Sequence, residues 1–215
     1  MAVGAPSALV RDILTSMPDQ PADRTALTQV GIHPPIAERW SPRVFDPEAV
    51  LSVEQVTAVL EAARWAATWG TRQPVRFLVG LRDDDTFALL AGLLNRGNAW
   101  AKAAGALILL CADEGEDDDT ALYSAVDGGS AMANLSIEAA SRGLITHPMA
   151  GFDVEGARAA FDIPARVRPL MVIAVGCLGD YATASPEIAE RDGKARSRKP
   201  LTEIAFRQTW GRPWR

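Results

Sequence analysis

Cysteine and histidine are scarce: of 215 residues, two are Cys and two are His. Cys111 and Cys177 lie in separate apolar runs, 106–112 and 170–178, where small buried hydrophobes belong, and a disulfide is not expected. The chain has no Cys-x-x-Cys and no His-Glu-x-x-His, and only His33 and His147 could offer imidazole, so no metal site is expected. No run approaches the roughly 18 to 20 apolar residues of a spanning helix, and the start of the chain lacks a basic segment followed by an apolar core. The expectation is a cytoplasmic protein with no membrane contact, in which the sequon Asn134-Leu135-Ser136 carries no glycan. Net positive charge is missing too: 22 Lys and Arg against 27 Asp and Glu leave a formal charge of -5, which argues against a nucleic-acid partner. A local basic pocket for a small anion stays open.

What is present is ordinary for a globular chain, 48% hydrophobic and 23% charged, and long enough for one domain with a large core. Residues 1–35 read as an arm, with an amphipathic piece at 8–17, a polar, Pro-rich stretch at 18–24, and Pro34-Pro35. The domain proper is expected over 36–215. Its first strong helix, 53–66, has a written start: Ser52 as N-cap, Gln55 completing a capping box, and Leu51 with Val56 as a hydrophobic staple. Val56, Val59, Leu60 and Ala63 form its apolar stripe. A strand is expected at 75–80, a helix at 83–94, a break at 95–98 and a second strand at 106–112. The acids of 114–119 lack the Gly and terminal Glu of a calcium loop and read as a solvated loop or helix entrance.

The longest helical pattern, 120–142, contains Gly128-Gly129. Each mid-helix Gly costs about 1 kcal/mol relative to Ala, so the pair suggests that another backbone packs close, in a central or dimer-facing helix. Gly143-Leu144 has the form of a Schellman stop. Residues 146–153 read as a loop entering a short helix capped by Asp153, and 170–177 as a third strand. The tail turns basic over 191–199 and ends with Trp210 and Trp214.

Residues 39–45, Arg-Trp-Ser-Pro-Arg-Val-Phe, put two guanidiniums and a hydroxyl ahead of the first strong helix. Arg offers N–H donors in a planar fork that suits phosphate oxygens, so this is either an anion cradle or a solvated loop.

Several stretches together resemble the nitroreductase family of FMN-dependent oxidoreductases: Arg-x-Ser-x-Arg-x-Phe at 39–45, Ala-Ala-Arg within 62–67, Gln73-Pro74, the long helix 120–144, the loop 148–153 with Gly151-Phe152-Asp153, and Arg196-Ser197-Arg198-Lys199-Pro200-Leu201. The resemblance runs from 36 to 211. It implies an α+β fold, a three-layer α/β/α arrangement about a mainly antiparallel sheet, in a domain-swapped homodimer whose C-terminal tail wraps the partner subunit. It also implies FMN as cofactor, with NADPH or NADH as electron donor in two half-reactions. The acceptor would be a nitroaromatic, quinone or activated alkene, and the cofactor rather than a catalytic side chain would carry hydride at N5.

By that resemblance Arg39 and Ser41 hold the FMN phosphate together with Arg196 and Arg198. Trp40, where relatives are often basic, packs on the ribityl chain or dimethylbenzene edge. Arg43 stands near the pyrimidine edge, where a cation would stabilise the reduced ring. Asn98 reaches the flavin, and Pro148, Met149, Ala150 and Gly151 lie against the ring. Ala150 replaces a frequent Glu. Thr68 and Thr71 substitute for the family's Ser and Asn at the flavin edge, and Trp69 and Phe152 are the expected substrate contacts. With Thr68, Thr71 and Ala150 altered, a flavin store or sensor without turnover is the alternative.

Overall fold

The computed structural model describes residues 24–214. The amphipathic piece at 8–17 and almost all of the polar stretch 18–24 fall outside them. Helix α1 (Pro34–Glu38) opens on its two prolines, whose missing N–H groups cost nothing at a helix start. Helix α2 (Val53–Arg64) begins as its sequence dictates: Ser52 Oγ accepts from the Gln55 N–H at 3.1 Å, and the Gln55 side chain accepts from the Ser52 N–H at 2.9 Å. It ends two residues short of the expected 66.

Strand β1 (Val75–Leu81) leads into α3 (Asp85–Leu93), capped by Asp84, whose carboxylate accepts from the Phe87 N–H at 2.6 Å. The expected break at 95–98 is the start of a 3-10 helix, Arg96–Ala103. Strand β2 (Ala106–Asp113) is followed by α4 (Asp118–Ser141), which starts two residues early because Asp117 caps it, accepting from Thr120. Gly143 closes α4 with a φ of 72°, its N–H reaching Ala140 and that of Leu144 reaching Ala139 at 2.9 Å, both halves of a Schellman motif. Then come β3 (Ile145–Met149), α5 (Val154–Ala160), β4 (Val167–Gly176) and α6 (Pro186–Gly193).

The strands form one antiparallel sheet in the order β1-β2-β4-β3. There are four strands where three were expected. The stretch read as a loop contains most of β3, an edge strand in which Pro148 stands opposite Ile173, and an edge position tolerates the missing N–H. Strand β4 begins at Val167, earlier than expected, because a register shift places Cys111 opposite Pro169 and lets the proline sit at a bulge.

Strand β2 is buried on both faces, which is why it reads as a continuous apolar run. Leu107, Leu109 and Cys111 pack with Phe87 and Leu90 of α3 and Ala157 of α5. Ala106, Ile108 and Leu110 pack with Val56 and Val59 of α2 and with Ala131 and Leu135 of α4. Three layers result, and each fully excluded Val, Leu or Ile adds about 1.5–3 kcal/mol. Cys111 and Cys177 are free thiols, and burial pushes Cys111 up to about 11. The glycine pair of α4 is explained differently from expectation. A Cβ on Gly128 would stand 2.8 Å from Leu170 and 3.2 Å from Leu110, so the helix rides on sheet side chains rather than on a backbone, while nothing lies within 4 Å of Gly129. Among the described residues no helix is long and apolar enough to cross a membrane.

Two segments far apart in sequence, 44–46 and 177–179, are joined in the fold. The segment entering α2 is stitched to the strand exit after β4: Asp46 donates to Cys177, Gly179 donates to Val44, and Phe45 bridges Leu178. A Cβ on Gly179 would lie 2.7 Å from the Phe45 carbonyl, so only glycine permits this approach.

Candidate functional site

That stitch carries residues 39–43 to the C-terminal segment. Around a cavity of about 180 Å³ stand Arg24, Arg39, Arg43, Arg191, Arg196 and Arg198, with Trp40, Ser41 and one carboxylate, Asp192. The four phosphate candidates of the sequence, Arg39, Ser41, Arg196 and Arg198, are therefore brought together. The cations crowd one another. Burial lowers the pKa of Arg39 and the nearby Arg198 lowers it further; Arg196 is lowered by burial and then by Arg39, Arg198 and Arg24. Such a group is short of negative charge.

Asp192, on α6, is 1% exposed and fully engaged. It accepts from the Arg43 N–H at 2.7 Å, from Arg43 Nη1 at 2.5 Å, and from the Tyr181 hydroxyl at 2.7 Å, across 149 residues of sequence in the first two cases. Burial and the Asp192 carboxylate push the Tyr181 phenol upward, so it stays a donor. Arg43 was expected apart from the phosphate residues; it lines the same cavity, and its charge is matched by Asp192. Neither Asp192 nor Tyr181 was singled out from sequence, since a lone acid in a basic tail looks solvated. Behind this group His147 Nδ1 lies 2.9 Å from the Pro42 carbonyl, which can only accept, so the proton is on Nδ1. Its ring packs on Trp100 at 4.5 Å, and burial lowers its pKa.

Trp40 has one face covered by Arg24, whose guanidinium carbon is 4.6 Å from the ring centroid. Asn98 and the 148–151 loop meet as well: Asn98 Nδ2 donates to the Gly151 carbonyl at 2.8 Å, and a Cβ on Gly151 would be 2.8 Å from that nitrogen. Pro148 is half-buried, Met149 buried and Ala150 exposed. Phe152, expected to contact substrate, is 6% exposed in the core, bridged to Leu94; the sheet-side cluster has claimed its ring.

Thr68, Trp69 and Thr71 belong to a different place. Thr68 donates its hydroxyl to Asp127 at 2.6 Å, and the Trp69 N–H reaches both Asp127 oxygens at 3.1 Å. The Trp69 ring stacks on Tyr123 at 5.0 Å under the Arg72 guanidinium, and Thr71 is exposed. Thr68 and Asp127 line a second, largely apolar cavity of about 570 Å³ between α2, β1 and α4, to which none of the six arginines contributes. Asp127 was also missed; a buried Asp on the apolar side of a helix was its only signal. Among the described residues no three His, Cys, Asp or Glu side chains converge as a metal site.

The family model of the Nitroreductase family matches residues 36–91 and 88–177. A 15.4 kDa protein from the ask 5′ region of Mycolicibacterium smegmatis, itself uncharacterized, is 59% identical over 147 residues, which is 65% of this chain and 99% of that protein. A Bacillus subtilis (strain 168) protein, provisionally named NAD(P)H nitroreductase YdgI, is 26% identical over 185 residues, covering 68% of this chain and 88% of its own. Among solved structures, an oxidoreductase containing FMN superposes with a TM-score of 0.79 at 27% identity, over 90% of this chain and 98% of that one. A nitroreductase-family structure from Desulfovibrio desulfuricans in complex with FMN gives 0.66 at 26% identity, over 84% and 99%. With its antiparallel sheet between helical layers and the family pattern matched across most of that sheet, the chain belongs to the nitroreductase family.

Proposed function

We propose that the arginine pocket holds the phosphate of FMN, and that the protein is an oxidoreductase that takes electrons from NADPH or NADH and passes two of them to a small acceptor of the nitroaromatic, quinone or activated-alkene class. The observation that carries this reading is the convergence of Arg39, Ser41, Arg196 and Arg198 on one cavity whose only lining carboxylate among the described residues is already spent on Arg43 and Tyr181. A phosphate monoester brings about -1.5 to -2 charge and three acceptor oxygens, which suits this donor set. The FMN named for the two solved relatives adds support. When bound, the flavin supplies the hydride and electron chemistry.

The chain's own residues bind and orient. Arg39, Arg196 and Arg198 would bear the phosphate charge, Ser41 would add a neutral donor, and Asp192 holds the Arg43 guanidinium in place beside them. Asn98 fixes the Gly151 peptide through its carbonyl, and residues 148–151 would be the backbone presented to the ring. Thr68 lines a separate cavity, with Trp69 and Thr71 following it in the same loop, and a second copy of the chain is what would bring them to the first one. A homodimer with FMN between subunits is the corresponding assembly. Leu122 and Val126, 64% and 59% exposed on α4, and Trp210, 91% exposed in the tail, are the apolar surface it would cover.

Purified protein with bound FMN, mixed anaerobically with NADH and then NADPH, should lose its yellow absorbance with at least one donor. Yellow protein that neither donor bleaches would leave flavin storage or sensing as the function, and protein with no affinity for FMN would remove both readings.

A further inference from the structure

We propose that Arg24, from the segment before α1, is an additional phosphate ligand of the arginine pocket. This rests on the FMN reading above and extends it to a residue outside the family pattern matched at 36–177. The guanidinium is already placed: it lies 4.6 Å over the Trp40 ring and lines the cavity with Arg39 and Arg196. Stacking on an indole fixes the plane of the fork and leaves its N–H edge free to meet an anion in that plane.

The Arg24 Nε is buried and has no hydrogen-bond partner among the described residues. A buried N–H without an acceptor is unfavourable, and native proteins rarely leave one so. Nor, among the described residues, is it held there by an acid. Among the described residues it forms no ion pair, and Asp192 is occupied by Arg43 and Tyr181. Arg24 instead adds to the repulsion felt by Arg196. The segment is nevertheless anchored in place by backbone contacts, since Arg196 Nη1 donates to the Arg24 carbonyl and the Ala26 N–H donates to Ala37 at 2.9 Å. A stacked, anchored cation with an orphaned donor, set among other cations, is suited to an incoming anion. The phosphate that Arg39 and Arg198 would bind is positioned to be it.

The consequence is that ligand phosphate pins the chain at the Arg24-Thr25 bond. Trypsin cleaves after Arg only when that side chain is free to enter the protease, so the same residue reports its own engagement. Flavin-stripped full-length protein is titrated with FMN and with riboflavin, which lacks the phosphate, by quenching of flavin fluorescence. Wild type, Arg24→Gln and Arg198→Gln are compared, and cleavage at Arg24-Thr25 is followed by mass spectrometry. Loss of one charge-assisted bond at a partly open site should raise the FMN Kd of Arg24→Gln about tenfold and leave riboflavin unchanged. FMN, and not riboflavin, should slow cleavage at Arg24-Thr25 in wild type. Arg24→Gln with a wild-type ratio of FMN to riboflavin affinity, beside Arg198→Gln that has lost it, overturns the role of Arg24 alone, as does equal cleavage with both flavins. Wild type that binds FMN no tighter than riboflavin overturns the phosphate reading of the pocket and this proposal with it.

Discussion

Replacing Asp192 with Asn tests whether the carboxylate is what organises the arginine pocket. The substitution keeps shape and leaves an oxygen for the Tyr181 hydroxyl, but removes the charge facing Arg43 Nη1 at 2.5 Å and one of the two acceptors it offers to Arg43. Removing one partner of a fully buried ion pair costs about 3–5 kcal/mol, because the other charge is stranded. Here Asp192 is fully enclosed, yet the Arg43 side chain keeps 22% of its exposure, so water recovers part of the loss. We expect about 2–3 kcal/mol, which for a domain of this size is a fall of about 4–12 °C in Tm. Thermal melts of wild type, Asp192→Asn, Arg43→Met and the double variant give the coupling directly. The pair should be worth more than about 1 kcal/mol in that cycle, since neighbours sharing hydrogen bonds are not additive. An Asp192→Asn protein that melts with wild type would mean that the carboxylate's three contacts contribute nothing net, and the account of Asp192 as the element that fixes Arg43 would fail.

Two further outcomes are expected. His147 is held below its ordinary pKa of 6.5, first by burial, so the unfolded chain takes up the proton more readily; stability is lost as pH falls through about 6.5 and the loss levels off below the folded value. His147→Asn keeps an N–H for the Pro42 carbonyl without titrating, and urea midpoints measured down to about pH 5.5 should show the wild type losing ground to the variant; parallel curves would refute the assignment. Val126→Glu places a charge on the exposed apolar face of α4, and light scattering should then report the mass of one chain where wild type reports two. Equal masses would remove α4 as a subunit contact.

The features legible from sequence are those decided within a few residues. Ser52 with Gln55, and Gly143 with Leu144, set helix ends through bonds to their own neighbours, and both motifs formed as written. Strand β3 was not legible, because nothing local marks it as a strand. Its burial does not alternate, since Thr146 and Met149 are buried with His147 and Pro148 half-buried between them, it contains Pro148, and its strand pairing is with β4. The site divides the same way. Arginine and serine at 39–41 and 196–198 advertise anion chemistry by residue type alone, and the sheet needed only to bring them together.

Asp127 and Asp192 are the opposite case, since each is a carboxylate whose meaning lies in what the fold places opposite it. Asp127 takes the Thr68 hydroxyl that the sequence assigned to a ligand; a buried anion with two donors close at hand draws them before any outside group arrives. The consequence for function is specific. In the Thr68 loop the Thr68 hydroxyl and the Trp69 N–H are internally satisfied, whereas among the described residues the Arg24 Nε in the arginine pocket is not, and the proposed ligand is assigned to that end, with its crowded cations. On the proposed reading, binding energy is concentrated at the phosphate. Removing the phosphate from the ligand should weaken binding far more than altering the loop that carries Thr68.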